Sequence, residues 1–189
     1  MGEVLSTKRE LVLPQSDEEL DSILGDQAQH LWLSLAKREW ASLVVLPAHP
    51  GGSTRELASE LADAGTNLGD IPVAAITASE LDASSARALI ALARQVSGRQ
   101  KRLRQGHDVI DVESEPSAGE SRDAGYFEAP TGQLIISIPS IDSGPSALAV
   151  ASASDLVVIG VELNKTSMKE LSRSIELIGR ERIAGCVLL

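Results

Sequence analysis

Short runs that are apolar at almost every position recur along this chain, each bounded by turn residues and most followed by a stretch with helical spacing. Leu43 to Leu46 (LVVL), Ile71 to Thr77 (IPVAAIT), Leu134 to Ile138 (LIISI), Leu156 to Val161 (LVVIGV) and Ile183 to Leu189 (IAGCVLL) are five of them. A strand with one wet face alternates apolar and polar residues. A strand covered on both faces does not need to. Such strands alternating with helices predict an α/β fold: a mainly parallel sheet, helices on both faces, and right-handed crossovers. Aromatic residues make up only 2% of the chain, so its core must be built from Leu, Ile, Val and Ala. A length of 189 residues allows one domain with a core large enough to need no staples.

The helices read as follows. Ser16 with Glu19 forms a capping box, and a first short helix follows with Leu20, Ile23 and Leu24 on one face. Gly25 is expected to interrupt it. A second helix is expected over Asp26 to Trp40, with Leu31, Leu35 and Trp32 at apolar spacing. Residues 1–25 are thus read as a tail with a short helix, and 26–189 as the domain. Ser53 to Ala64 spaces Leu57, Ala58, Leu61 and Ala62 for one-sided packing, with Gly65 as the expected stop. Ser79 and Asp82 offer caps for a helix reaching about Gln105, with Leu89, Ile90, Leu92, Ala93 and Val96 on its apolar face. A short strand is expected at 107–112. Residues 113–132, rich in Glu, Ser, Gly and Pro, read as a mobile loop. Ser146 to Ser154 is a small Ala-rich helix. Thr166 to Gly179 is another, capped by Thr166 or Ser167, with Met168, Leu171, Ile175 and Ile178 inward.

Charge and composition exclude several function classes. The formal net charge is −10, which opposes non-specific contact with nucleic acid. Scarce aromatics also disfavour base-stacking platforms. The single cysteine, Cys186, lies in an apolar run and reads as a buried thiol. No apolar run is long enough to cross a bilayer and no secretory leader is evident, so a cytoplasmic location is expected.

The junction between the first strand and its helix is the candidate site. Residues 47–54 read Pro-Ala-His-Pro-Gly-Gly-Ser-Thr. A glycine turn running into a helix N-terminus aims several backbone N–H groups at one spot, where a phosphate can sit. This turn contains no lysine. It can be a weak anion site, or a turn kept for its shape with Ser53 capping the helix. His49 can be a general base or an exposed loop residue. A Ser137, His49, Asp142 triad can be written down, but no G-x-S-x-G elbow supports it. Asp108, Asp111 and Glu113 can be a metal group or the edge of a strand beside an acidic loop. Arg94, Arg99, Lys101, Arg102 and Arg104 can meet an acidic partner or an anionic leaflet, or form a solvated helix end that suits the helix dipole.

The order of these segments resembles a known family. Ile138-Pro139-Ser140 ends a strand, Ala153-Ser154-Asp155-Leu156-Val157-Val158 opens the next, Thr166 begins a helix, and Gly185-Cys186-Val187-Leu188 closes the chain. Upstream come a helix, the strand LVVLPA, a glycine turn, Ser-Thr and a helix ending in Ala-Gly. Most of Asp26 to Leu189 thereby resembles the bacterial tyrosine kinases of the polysaccharide-export type. Those belong to the deviant Walker A P-loop ATPases, with the MinD and ParA families. The resemblance rests on order and spacing, with no single specific motif. It implies a three-layer P-loop NTPase-like fold.

The departures bear on function. The family loop runs approximately Pro-Gly-Glu-Gly-Lys-Ser/Thr-Thr, whereas Pro50-Gly51-Gly52-Ser53-Thr54 is two residues shorter and lacks the lysine. The acidic pair after the second strand falls near Thr77 to Ser79, with no Asp there. The Walker B aspartate falls at Ser137, and a serine offers Mg²⁺ no carboxylate. The tyrosine cluster is absent, Tyr126 being the only tyrosine. The family's ring-forming Glu-x-x-Arg-x-x-Arg falls on Asp26, Gln29 and Trp32, without its arginines. An exposed Trp32 would make a different anchor; a buried one would pack on the chain's own sheet.

The resemblance with its losses implies a pseudo-ATPase or pseudokinase that holds no cofactor or metal. Its expected role is that of a cytoplasmic regulator or scaffold in surface polysaccharide synthesis or export, held at the inner membrane through a partner. The partner would be a membrane polysaccharide co-polymerase or a kinase paralogue, and homo-oligomers are an option. Candidate interface residues are Trp32, Arg99, Lys101, Arg102 and Arg104. The alternatives are an active MinD- or ParA-like ATPase using ATP and Mg²⁺ through an atypical loop, and a nucleotide sensor without turnover.

Overall fold

Every strand of the sheet is parallel to its neighbours, as the unbroken apolar runs require. The computed structural model describes the backbone of residues 17–104 and 132–189. Several expectations lie outside those residues: the tail, the Ser16 cap, the strand at 107–112 with Asp108 and Asp111, Glu113, and the loop at 113–131. In chain order the elements are α1 (Asp17–Leu35), β1 (Ser42–Pro47), α2 (Arg55–Leu68), β2 (Val73–Thr77), α3 (Ala83–Arg104), β3 (Gln133–Ser137), α4 (Pro145–Ala153), β4 (Leu156–Val161), α5 (Met168–Ile178) and β5 (Ile183–Leu188). The strands lie in the order β2-β3-β1-β4-β5. β1 is central: Val44 stands between Ile136 of β3 and Val157 of β4.

Alternate residues of these strands feed two cores. Leu43, Val45, Ile135 and Val158 meet Leu57, Ala58 and Leu61 of α2 and Ala28, Trp32 and Leu35 of α1. Val44, Leu46, Ile136 and Ile159 meet Ala86, Ala93 and Val96 of α3, Val150 and Ala151 of α4 and Ile178 of α5. The molecule is therefore three-layered, with α1 and α2 on one face and α3, α4 and α5 on the other. Among the described residues, no helix is long and apolar enough to cross a membrane.

Five expectations are corrected. α1 runs through Gly25 as one helix to Leu35 rather than breaking there. Glycine costs a helix interior only about 1 kcal/mol, and Gly25 lies against the Glu60 side chain of α2. Nor does a helix reach Trp40. That residue folds back, and its indole N–H donates to the carbonyl of Leu35 at 3.1 Å, supplying a partner to a free helix-end carbonyl. Gly65 does not stop α2, which continues to Leu68. A Cβ at Gly65 would stand 2.6 Å from both the Trp32 ring and Val73, so the glycine is there for close approach. Met168 does not join the core: it is 76% exposed, at the first turn of α5. Cys186 is exposed rather than buried, because β5 is an edge strand.

The start of the central strand is pinned by Asp155, the residue before β4. Its Oδ2 accepts from the amides of Ala41 (2.9 Å) and Ser42 (3.0 Å) and from the hydroxyls of Ser42 (3.2 Å) and Ser97 (2.7 Å). One carboxylate thus ties β1, β4 and α3 together. Burial pushes its pKa up, but the Ser97 hydroxyl and the Ala41 and Ser42 donors outweigh that and hold it below the ordinary value.

Candidate functional site

In parallel sheets, ligands bind beyond the carboxyl ends of the strands, where successive connections leave to opposite sides. Here that place is the end of β1. The chain leaves β1 toward β2 on one side, while β3 sends the chain past β1 to β4 on the other. Three connections meet at this edge: residues 48–54 after β1, 138–144 after β3, and 162–167 after β4. The sequence-predicted turn therefore sits at the switch point.

The turn is shaped as its residues demand. Gly51 has φ +84°, the left-handed region that favours glycine. The Gly52 amide donates to the His49 carbonyl over a long 3.4 Å. Gly52 has no room for a side chain: a Cβ would stand 2.7 Å from Pro47 Cβ and 2.8 Å from Glu162 Oε1. Thr54, not Ser53, is the N-cap residue of α2, and its side chain does not cap. Ser53 makes only a long local contact, accepting from the Arg55 amide at 3.4 Å.

Thr54 is turned inward. Its Oγ1 donates to the carbonyl of Val45 (3.1 Å) and lies 3.1 Å from Ser137 Oγ at the end of β3. Both side chains are buried. Two hydroxyls thus face each other beneath the turn and satisfy one another. Gly160 of β4 makes space for this, since a Cβ there would stand 2.7 Å from both Thr54 Cγ2 and Leu189 Cδ1.

His49 is neither exposed nor free. Its Nδ1 lies 2.7 Å from the carbonyl oxygen of Pro50. Its Nε2 lies 3.2 Å from Glu162 Oε1, off the N–H axis, so the contact is an ion-pair approach rather than an aligned hydrogen bond. Glu162 also accepts from Lys165 Nζ at 2.6 Å. The Lys165 bond, followed by the His49 contact, holds the Glu162 carboxyl below its ordinary pKa in spite of some burial. Glu162 and Lys165 belong to a tight turn. The Glu162 carbonyl accepts from the amides of Lys165 (3.3 Å) and Thr166 (3.0 Å), and Asn164 takes φ +64°, which Asn tolerates. Thr166 Oγ1 accepts from the Glu162 amide at 3.0 Å, while Ser167, with Glu170, forms the capping box of α5.

The written triad is not assembled. Ser137 is spent on Thr54, His49 on Pro50 and Glu162, and Asp142 on Arg173 at 3.5 Å. Trp32, a candidate interface residue, is only 4% exposed and packs edge-on against Trp40, with ring centroids 5.6 Å apart. A residue buried in this way is unavailable as an exposed anchor. The basic residues of α3 lie at the other end of the sheet. Ser97 of α3 meets Ser42 at the start of β1, and Lys101 lines a cavity of about 310 Å³ there with Glu39, Trp40, Ser97, Gln100 and Asp155. Arg99, Lys101, Arg102 and Arg104 follow Ser97 on that half of α3, so they lend no charge to the turn.

Glu162 and Lys165 were missed in the sequence reading. The available signal was their place, a charged pair directly after an apolar strand, on the same edge as the glycine turn. No protein-family model matches the chain, and no curated protein matches it.

Proposed function

We propose that this chain is a P-loop NTPase-like domain that has given up nucleotide turnover. In this reading it is a cytoplasmic regulator or scaffold in surface polysaccharide synthesis or export. Its partner is a membrane polysaccharide co-polymerase or a kinase paralogue. The pathway and the partner rest on the family resemblance. The loss of turnover rests on the site.

The observation that carries it is the Thr54–Ser137 contact. In P-loop NTPases the loop Ser/Thr and a Walker B aspartate hold Mg²⁺. Here the loop threonine sits 3.1 Å from a serine, and the two hydroxyls pair with each other. Neither brings the negative charge that a divalent cation needs in a small oxygen shell. Above them, residues 47–54 carry no lysine to neutralise β- and γ-phosphates. A carboxylate, Glu162, comes against Gly52, and it is shared with the Lys165 ammonium at 2.6 Å, so the turn gains no free positive charge from that pair.

The test is a thermal-shift titration with Mg-ATP and Mg-ADP. A ligand at about one hundred times its Kd would stabilise the fold by about 2.7 kcal/mol. The expected result is no shift at millimolar nucleotide and no phosphate release. A shift with turnover would overturn the proposal in favour of an active ATPase. A shift without turnover would replace it with a nucleotide sensor. Capture of a polysaccharide co-polymerase or a kinase paralogue from native membranes, by the full chain as bait, tests the partner.

A further inference from the structure

We propose that two copies of this chain pair through β5, antiparallel about a two-fold axis at Val187, and so join their sheets edge to edge. The pairing depends neither on the proposed loss of turnover nor on the proposed scaffold partner.

The backbone sets the geometry. β5 is an outermost strand, so among the described residues no strand pairs with its far side. The Leu189 amide donates inward, to the Val161 carbonyl of β4 at 2.9 Å. Backbone groups turn alternately to the two sides of a strand. Val187 and Gly185 therefore also face β4, while Cys186 and Leu188 point N–H and C=O outward. The register with β4 is regular from Gly185 to Leu188, and its one shift lies at the start of the strand, at Val157/Val158. An extended strand is the partner whose spacing matches such a row of open groups. With Cys186 of one copy opposite Leu188 of the other, and the reverse, each pair can exchange two N–H to O=C bonds, with Val187 on the axis between them.

The side chains favour a second copy. Residues 183–189 read Ile-Ala-Gly-Cys-Val-Leu-Leu, with no charge and no proline. Lysine, proline and bulges are the devices that keep an outer strand from pairing. Here the shift at the strand's start is the one such device, and it leaves 185–188 regular. Cys186 and Leu188 stand in register with Ile159 and Val161, which pack toward α3, α4 and α5. On β5 that face is uncovered: Cys186 is exposed and Leu188 is 53% exposed. In the pair each Leu188 would lie beside the partner's Cys186, closing an apolar seam.

Charge selects the antiparallel sense. Arg180, Glu181 and Arg182 precede the strand and carry a net positive charge. About the axis at Val187 the two Arg182 residues stand ten residue steps apart, about 34 Å, well beyond a Debye length. A parallel pairing would set these segments side by side. The other outer strand, β2, exposes only the small side chains of Ala75 and Thr77. Pairing β5 with β2 would be head-to-tail and would not close, whereas β5 with β5 closes at two copies.

The test uses the full chain. Its mass by light scattering should rise from one chain toward two between about 1 µM and about 500 µM. Raising salt from about 0.05 M to about 0.5 M should strengthen the pairing, because each copy carries −10 and screening lifts their repulsion. Leu188→Lys puts a charge on the seam and should weaken association roughly tenfold or more. Its thermal midpoint should stay near that of the wild type, since Leu188 is half exposed. Leu188→Cys gives a second reading that adds no charge. The introduced thiol would face the partner's Cys186 at a Cα spacing of about 5.5 Å, within reach of a disulfide. Mild oxidation should then link two copies through that pair, read by non-reducing gel and peptide mass. A single-chain mass at every concentration, association indifferent to Leu188→Lys, or an associated Leu188→Cys sample without that link would each overturn the pairing.

Discussion

Replacing Asp155 with alanine would detach the start of the central strand from its two supports. The wild-type carboxylate accepts from two amides and two hydroxyls, all on one oxygen. In the variant the hydroxyls of Ser42 and Ser97, already 3.0 Å apart, can serve each other. The amides of Ala41 and Ser42 cannot, and both residues are buried. An orphaned buried donor costs about 1–3 kcal/mol, and bonds to a charged acceptor lie at the upper end. Asp155 is itself half-buried, and the adjoining cavity of about 310 Å³ can admit water to the two amides. That discounts the total to about 2–3 kcal/mol. Urea unfolding followed by tryptophan fluorescence measures it, with the loss appearing as a lower midpoint at unchanged slope. Asp155→Asn adds the pH test. A carboxyl held below its unfolded value contributes stability that is fully present above the unfolded pKa and is lost as pH falls through the lower folded one. The wild type should therefore lose its advantage over Asp155→Asn in the acid range, below about pH 4. A loss under about 1 kcal/mol in Asp155→Ala, or a wild-type advantage that is constant from neutral to acid, would refute the reasoning.

Two further perturbations test the packing that positions the site. Gly65→Ala drives a methyl into the Trp32 ring and Val73, and should cost about 1–3 kcal/mol by thermal unfolding. In a Trp32→Ala background, itself about 3–5 kcal/mol less stable, the same substitution should cost clearly less; additive costs would show that the ring is not what the glycine accommodates. Gly160→Ala meets Thr54 and Leu189 and should cost about 1–3 kcal/mol, while shifting the Thr54 and Ser137 resonances together. Separate responses of those two residues would count against their hydroxyl contact.

The architecture was legible because strands buried on both faces leave an unmistakable apolar run. LVVIGV is β4 as read, residue for residue, and LVVL and LIISI fall within one residue of β1 and β3. The helical spacing of Leu57, Ala58 and Leu61 names the buried face of α2 in the same way. Glycines were read less well. Gly25 and Gly65 look like stops in a one-dimensional reading. What decides them is the space left by Glu60, Trp32 and Val73, residues from other elements.

The candidate site divides along the same line. Its glycine turn, its missing lysine and the serine at 137 are local facts, written in the chain order. The contact of Thr54 with Ser137 spans 83 positions, and that of Asp155 with Ala41 spans 114. Strand order alone brings such residues together. Glu162 and Lys165 acquire a role only because β4 lies beside β1, so their turn closes over Gly52. Periodicity and turn chemistry are properties of near neighbours along the chain and can be read from it. The partner of a buried carboxylate or of an imidazole is set by which strands pair, and only the packed sheet decides that.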